Sequence, residues 1–152
     1  RMIGRWEGVA VLAGDAAKGA IPVVAAGMAG ASHWIALAVG VAALAGHWYP
    51  VFLRFRGGAG LATTIGVGYA IMPLASLVAT PPALVFLCIK RDVGVAAAVG
   101  FLLLFGVALL LGQPVALALA VAILPGLALA RERLLPGPRV KRVTRNGPIG
   151  PS

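Results

Sequence analysis

Apolar residues in this chain come in long runs, and the charged residues fall between the runs. Gly8 to Ala31 gives 24 residues and His33 to Phe52 follows. Leu61 to Ile89 is 29 residues, and Val93 to Leu111 and Pro114 to Ala130 close the series. About 20 predominantly apolar residues cross a bilayer as a helix, so each run predicts at least one membrane segment. As one helix, Leu61 to Ile89 would be about 43 Å long, more than the hydrocarbon core needs. Pro73, Pro81 and Pro82 interrupt it, and proline removes a donor and breaks helices. Arg54 and Arg56 precede this run while Lys90 and Arg91 follow it. A single crossing would put one of those basic pairs on the outer side, against the positive-inside rule. Two short helices with a turn between Pro73 and Pro82 resolve the conflict and bring the count to six segments.

Composition agrees. The chain is 61% hydrophobic and 11% charged, too apolar for a soluble domain of this length. Thirteen Lys/Arg against four Asp/Glu give a net charge of +9. The basic residues sit at the ends of apolar runs rather than along one face, which argues for membrane topology and against nucleic acid. Arg1 and Arg5, Arg54 and Arg56, Lys90 and Arg91, and the six Lys/Arg from Arg131 to Arg145 then share the cytoplasmic side. The opposite turns, near Gly27 to His33, 73 to 82 and 112 to 113, carry no Lys or Arg. The expected fold class is an all-α integral membrane bundle over residues 1–130, followed by a basic cytoplasmic tail over 131–152. Cys88 lies inside an apolar run and fits a buried packing role. The chain starts at Arg1 with neither methionine nor signal peptide, so it reads as a segment that begins after the natural N-terminus.

Candidate chemistry concentrates in two places. Asp15 and Lys18 are three apart on one helix face, about 10 Å from the start of their span. Ionisable groups at that depth face a bundle interior or a wet cavity, so the pair fits either a structural ion pair or a substrate site. The second place is the stretch from His47 to Thr63. Arg54, Arg56 and the turn Gly57-Gly58-Ala59-Gly60 lie between two runs. Glycine lets backbone amides approach an anion, and the helix start at Thr63-Thr64 adds its own free N–H groups and dipole. His47 fits local bracing of this loop or a general-base role. His33 lies at the far end of the same span, so no zinc site forms. There is no P-loop, dinucleotide fingerprint or serine-nucleophile elbow. Any chemistry here depends on positioning reactive substrates and stabilising charge, with no covalent intermediate, no metal and no cofactor.

The string from Gly46 to Thr63 resembles the second signature of the bacterial acyl-phosphate:glycerol-3-phosphate acyltransferases (PlsY-type), G-H-x-x-P-x-F-x-x-F-x-G-G-K-G-x-A-T. Gly14 to Gly19 resembles the family's D-x-x-K-G helix. Arg1 to Arg5 resembles the segment after its first signature, with Arg1 in place of that signature's arginine. The likeness extends to about Gly137. It implies seven membrane helices, of which this chain would carry six. It also implies transfer of an acyl group from acyl phosphate to the 1-hydroxyl of glycerol 3-phosphate, giving lysophosphatidic acid at the bacterial inner membrane, with the C-terminus cytoplasmic. In the family mechanism the substrate's own phosphate assists proton removal. Carried over by matching position, Arg1, Arg56, Gly57, Gly58, Gly60, Thr63 and Arg91 are the phosphate- and substrate-binding candidates. His47 is the one catalytic candidate.

Several polar signature positions differ. Ala59 replaces the lysine of G-G-K-G. In the third signature, an arginine followed by Ser-x-x-Ser, Gly94 and Ala97 stand where the serines belong. Leu127, Ala130 and Arg139 replace a His, an Asn and a Glu around Arg133-Leu134-Leu135-Pro136-Gly137. A charge-assisted hydrogen bond contributes roughly 1.5–3 kcal/mol, so these losses bear on turnover. The expectation is an acyltransferase. The alternative is a catalytically degenerate paralogue that binds phospholipid precursors or associates with an active copy.

Overall fold

The computed structural model describes residues 5–49 and 60–134. Among these residues the chain forms six helices: α1 (Arg5–Met28), α2 (His33–Trp48), α3 (Leu61–Ile71), α4 (Pro73–Lys90), α5 (Val93–Leu110) and α6 (Val115–Leu134). The fold is an all-α bundle. Within it Gly8–Met28, Pro73–Lys90 and Val93–Leu110 are each long and apolar enough to cross a membrane, while α2, α3 and Val115–Arg131 are shorter apolar helices. Four of the five expected runs coincide with single helices to within a few residues.

Helix starts follow from side-chain chemistry. The Ile35 amide donates to the Ser32 hydroxyl at 3.4 Å ahead of α2, and the Val95 amide donates to the Asp92 carboxylate at 3.0 Å ahead of α5. Both satisfy amides that an open helix end leaves without partners.

The expected turn between Pro73 and Pro82 is corrected. The break falls at Met72 (φ −132°, ψ 67°), so α3 has only 11 residues and α4 has 18. A residue before proline is pushed out of the helical region, and Pro73 then starts α4 at a position where its missing N–H costs nothing. Pro81 and Pro82 sit inside α4 instead. Just before them the Thr80 hydroxyl donates to the Ser76 carbonyl at 2.7 Å and meets the Tyr69 hydroxyl at 2.6 Å, tying α4 to α3. Such supplementary bonds are how apolar helices in lipid tolerate proline. The reversal itself holds: α3 and α4 run antiparallel, with Tyr69 opposite Thr80.

α3 is the axis of the bundle. Thr63, Thr64, Gly66, Val67, Gly68 and Ile71 are all buried, and α3 packs on α1, α2, α4 and α6. Its contact with α1 is backbone against backbone. A Cβ on Gly19 would strike the Thr63 carbonyl, and one on Gly66 would strike the Ala16 carbonyl. Small residues that admit this close approach drive helix association where the hydrophobic effect cannot. Leu44, Val67, Ala118, Val121 and Ala128 complete the interior. Large apolar residues such as Leu102, Leu110 and Ile89 face outward, as lipid contact requires, and Cys88, expected in the interior, is exposed on α4 among them.

Candidate active site

The site elements meet at one end of the bundle, where α2 stops and α3 starts. Gly60 adopts φ +87°, and a Cβ there would stand 2.6 Å from Leu44 Cδ1 and 2.8 Å from Trp48 Nε1. Only glycine suits both the left-handed backbone and the space under the indole. Trp48 therefore ends α2 and packs over Gly60, the residue that opens α3. Arg1, Arg56, Gly57 and Gly58 lie outside the described residues.

Asp15 is the centre of a three-residue cluster. Lys18 Nζ donates to Asp15 Oδ1 at 3.0 Å, and His47 Nδ1 stands 3.7 Å from the same oxygen. That second distance is too long for a hydrogen bond and within reach of an ion pair when His47 is protonated. Asp15 and Lys18 thus pair within α1, and His47 of α2 faces the same carboxylate. Lys18 is 66% exposed, Asp15 23% and His47 10%. The lysine thus lies at the outer surface and the histidine faces inward.

Thr63 is in the first turn of α3 and fully buried, and its hydroxyl has no hydrogen-bond partner. Its neighbour Thr64 instead donates to the Leu61 carbonyl at 2.8 Å. The Leu61, Ala62 and Thr63 amides precede the first intrahelical bond, Thr64 N to Gly60 O at 3.0 Å. They leave partial positive charge at this helix start. Arg91 ends α4 in the left-handed conformation (φ 52°) with its side chain exposed.

Two features were not singled out from sequence. Arg131, assigned there to the tail, is in α6 and reaches back to α2. Its Nη2 donates to the Trp48 carbonyl at 2.9 Å, with the guanidinium 5.5 Å from the Trp48 ring centre and 5.3 Å from that of Tyr49. Its place as the first basic residue after the last apolar run was the available signal. The other feature is an apolar groove of about 150 Å³ between α3, α4 and α5. Leu61, Leu87 and Val93 line it at the end nearest the loop, and Ala83, Ala97, Gly100 and Leu104 line it further along. Small residues facing each other across α4 and α5 leave this room.

The sequence profile of the glycerol-3-phosphate acyltransferases matches residues 1–133. The chain belongs to the glycerol-3-phosphate acyltransferase family. Among curated relatives, the glycerol-3-phosphate acyltransferase of Geobacter metallireducens is 53% identical over 79 residues, covering 51% of this chain and 40% of that protein. Glycerol-3-phosphate acyltransferase 4 of Dehalococcoides mccartyi is 43% identical over 88 residues, 58% of this chain and 38% of its own. The Geotalea daltonii enzyme is 44% identical over 109 residues, 67% and 55% respectively. The chain thus spans about 40–55% of the length of these relatives. No solved structure matches it. Membership of this family fits the joint presence of the glycine-rich stretch Gly57 to Gly60 in the sequence and an apolar helical bundle.

Proposed function

We propose that the protein transfers a fatty acyl group from acyl phosphate to the 1-hydroxyl of glycerol 3-phosphate, releasing lysophosphatidic acid and orthophosphate. The observation that carries this reading is the adjacency of the α3 N-terminus to the mouth of the apolar groove, with Leu61 belonging to both. A phosphate held at the helix start would place the acyl chain of a donor along α3, α4 and α5. Acyl phosphate is a mixed anhydride and needs no enzyme nucleophile. The 1-hydroxyl oxygen attacks the acyl carbon, the bond from that carbon to the phosphate oxygen breaks, and orthophosphate leaves. The hydroxyl proton passes to the phosphate of glycerol 3-phosphate and from there to the departing orthophosphate, with His47 as the candidate protein base. Catalysis then consists of holding two anionic substrates in attack geometry and neutralising their charge. The partners are these two substrates and the bilayer, and the setting is the bacterial inner membrane with the C-terminus cytoplasmic.

The test uses full-length protein in lipid nanodiscs with glycerol 3-phosphate and, in parallel, palmitoyl phosphate, acyl-CoA or acyl carrier protein. Lysophosphatidic acid is expected from the acyl phosphate arm. Product from acyl-CoA alone, or from no donor, sinks the reading. The Ala97→Phe variant fills the groove. It is expected to lower kcat/KM for palmitoyl phosphate at least about tenfold, a loss of about 1.4 kcal/mol or more, and to affect a four-carbon donor much less.

A further inference from the structure

The apolar groove between α3, α4 and α5 has a closed end. Leu61, Leu87 and Val93 line its mouth, and Ser76 and Leu104 line its far end. Leu87 to Ser76 on α4 and Val93 to Leu104 on α5 are each eleven positions, a length of about 16 Å. Near the mouth, Ile65, Leu84 and Val93 are open to lipid. The far half is enclosed, with Ser76, Ala79, Phe101 and Leu104 all buried. Met72, Ala75 and Ala108 follow, packed in the core, and close it. The end is also held in place. There the Thr80 hydroxyl donates to the Ser76 carbonyl at 2.7 Å and meets the Tyr69 hydroxyl at 2.6 Å, tying α4 to α3. Ser76 Oγ beside them is buried with no hydrogen-bond partner. Hydroxyls thus gather at the closed end, while the mouth is hydrocarbon.

Within a bilayer, an acyl chain gains nothing by exchanging lipid for another apolar surface. What the groove offers is a shape, so discrimination falls on the end of the chain, where the walls are closed. Single-bond geometry advances an extended hydrocarbon by about 1.25 Å per carbon, so about 16 Å holds roughly 13 carbons. The volume agrees. About 150 Å³ admits roughly 10–15 groups the size of a water molecule, which a methylene resembles in size. We infer that the groove is a gauge for the donor's acyl chain, ended by Ser76, Phe101 and Leu104. It selects chains of about 14 carbons, with roughly 13 in the groove and the acyl carbon at its mouth. The inference rests on the acyltransferase reading. A longer chain must push into packed core or bend back into lipid, and overpacking of that kind lowers the rate about 5- to 150-fold. Gly68 borders the end of the gauge. A Cβ there would stand 3.4 Å from Ser76 Oγ, 3.5 Å from Leu104 Cδ1 and 3.9 Å from Phe101 Cε1, in contact with all three. A methyl on Gly68 therefore takes space from the closed end without striking backbone, and a shorter side chain at Leu104 adds space to it.

The experiment presents full-length wild type, Gly68→Ala and Leu104→Ala in nanodiscs with acyl phosphates of eight to eighteen carbons, each at the same mole fraction in the lipid. It measures kcat/KM for lysophosphatidic acid formation at each chain length, and the melting temperature of each protein. For wild type, kcat/KM should peak at about 14 carbons and fall about 5- to 150-fold by eighteen. Gly68→Ala should move the peak to a chain about one carbon shorter, and Leu104→Ala to one up to about three carbons longer, matching the carbons added and removed. Residues that only pack the helices would behave differently: their variants would melt earlier and scale the rate alike at every chain length. That uniform scaling overturns the inference. So does a wild-type profile that is still rising at eighteen carbons. If Leu104→Ala does not fold, Leu104→Val, which removes a single carbon, takes its place, and a peak that stays where it was overturns the inference. Lysophosphatidic acid formed equally from all chain lengths defeats the gauge alone, and none formed from any chain length defeats the acyltransferase reading with it.

Discussion

Asp15 serves two partners with one oxygen, and those partners sit in different surroundings. Lys18 is mostly exposed, so its pairing is screened and is worth at most about 1 kcal/mol. His47 is nearly buried beside the loop and belongs to another helix, so its tie to Asp15 links α1 to α2. Lys18→Ala is therefore expected to lower the melting temperature by no more than roughly 2–4 °C. Asp15→Ala should cost more, because it also strips His47 of its facing carboxylate. Thermal unfolding of the two variants in nanodiscs checks this, and equal losses would show that His47 gains nothing from Asp15. The sequence placed Asp15 and Lys18 on one face from their spacing. It could not bring His47 to them, because that meeting depends on how α1 and α2 pair. Arg131 was out of reach for the same reason: 83 positions separate it from Trp48, and no local pattern spans that distance.

At the scale of elements, the glycines divide into those that are packed and those that are not. A methyl on Gly66 would enter the Ala16 carbonyl, whereas a methyl on Gly106 in α5 would meet nothing within 4 Å. Gly66→Ala should accordingly force α1 and α3 apart, at a cost on the order of 1–3 kcal/mol for overpacking. Gly106→Ala should be neutral or stabilising by about 0.5–1 kcal/mol, from helix propensity alone. Denaturation in mixed micelles distinguishes them; a Gly66→Ala protein as stable as wild type would mean that the α1–α3 crossing is looser than described. Helix extents were legible because each run is bounded by charge, glycine or proline. The break inside the long run was misplaced because three prolines look alike in sequence. Only Pro73 follows a residue free to leave the helix. Thr80, ahead of Pro81, is held in it by bonds to Ser76 and Tyr69.

At the scale of the molecule, α2, α4 and α6 end where α3 and α5 begin, so Trp48, Gly60, Arg91 and Arg131 share one end of the bundle. The turns at Met72 and at Gly112-Gln113 share the other, where Met72, Pro73, Leu111 and Gln113 line one cavity. Lys and Arg cluster at the first end, and the described part of the second has neither. Positive-inside bias then predicts that residue 91 is cytoplasmic and residue 113 external. Single cysteines introduced at these positions in a Cys88→Ala background, labelled with a membrane-impermeant reagent on intact cells, should react at 113 and not at 91. The reverse pattern would invert the topology and place the proposed site on the outer face, away from the substrates proposed for it.

The brevity of α3 bears on how the protein is made. Eleven residues rise only about 16 Å, half of what a bilayer core asks of a lone span. They include two adjacent threonines and two glycines. A segment like that has no means of partitioning into lipid unaided during synthesis. Paired with α4 as a hairpin, and joined to it through Tyr69 and Thr80, it gains the apolar length that it lacks alone. That geometry predicts that the central helix inserts only together with the helix that follows it.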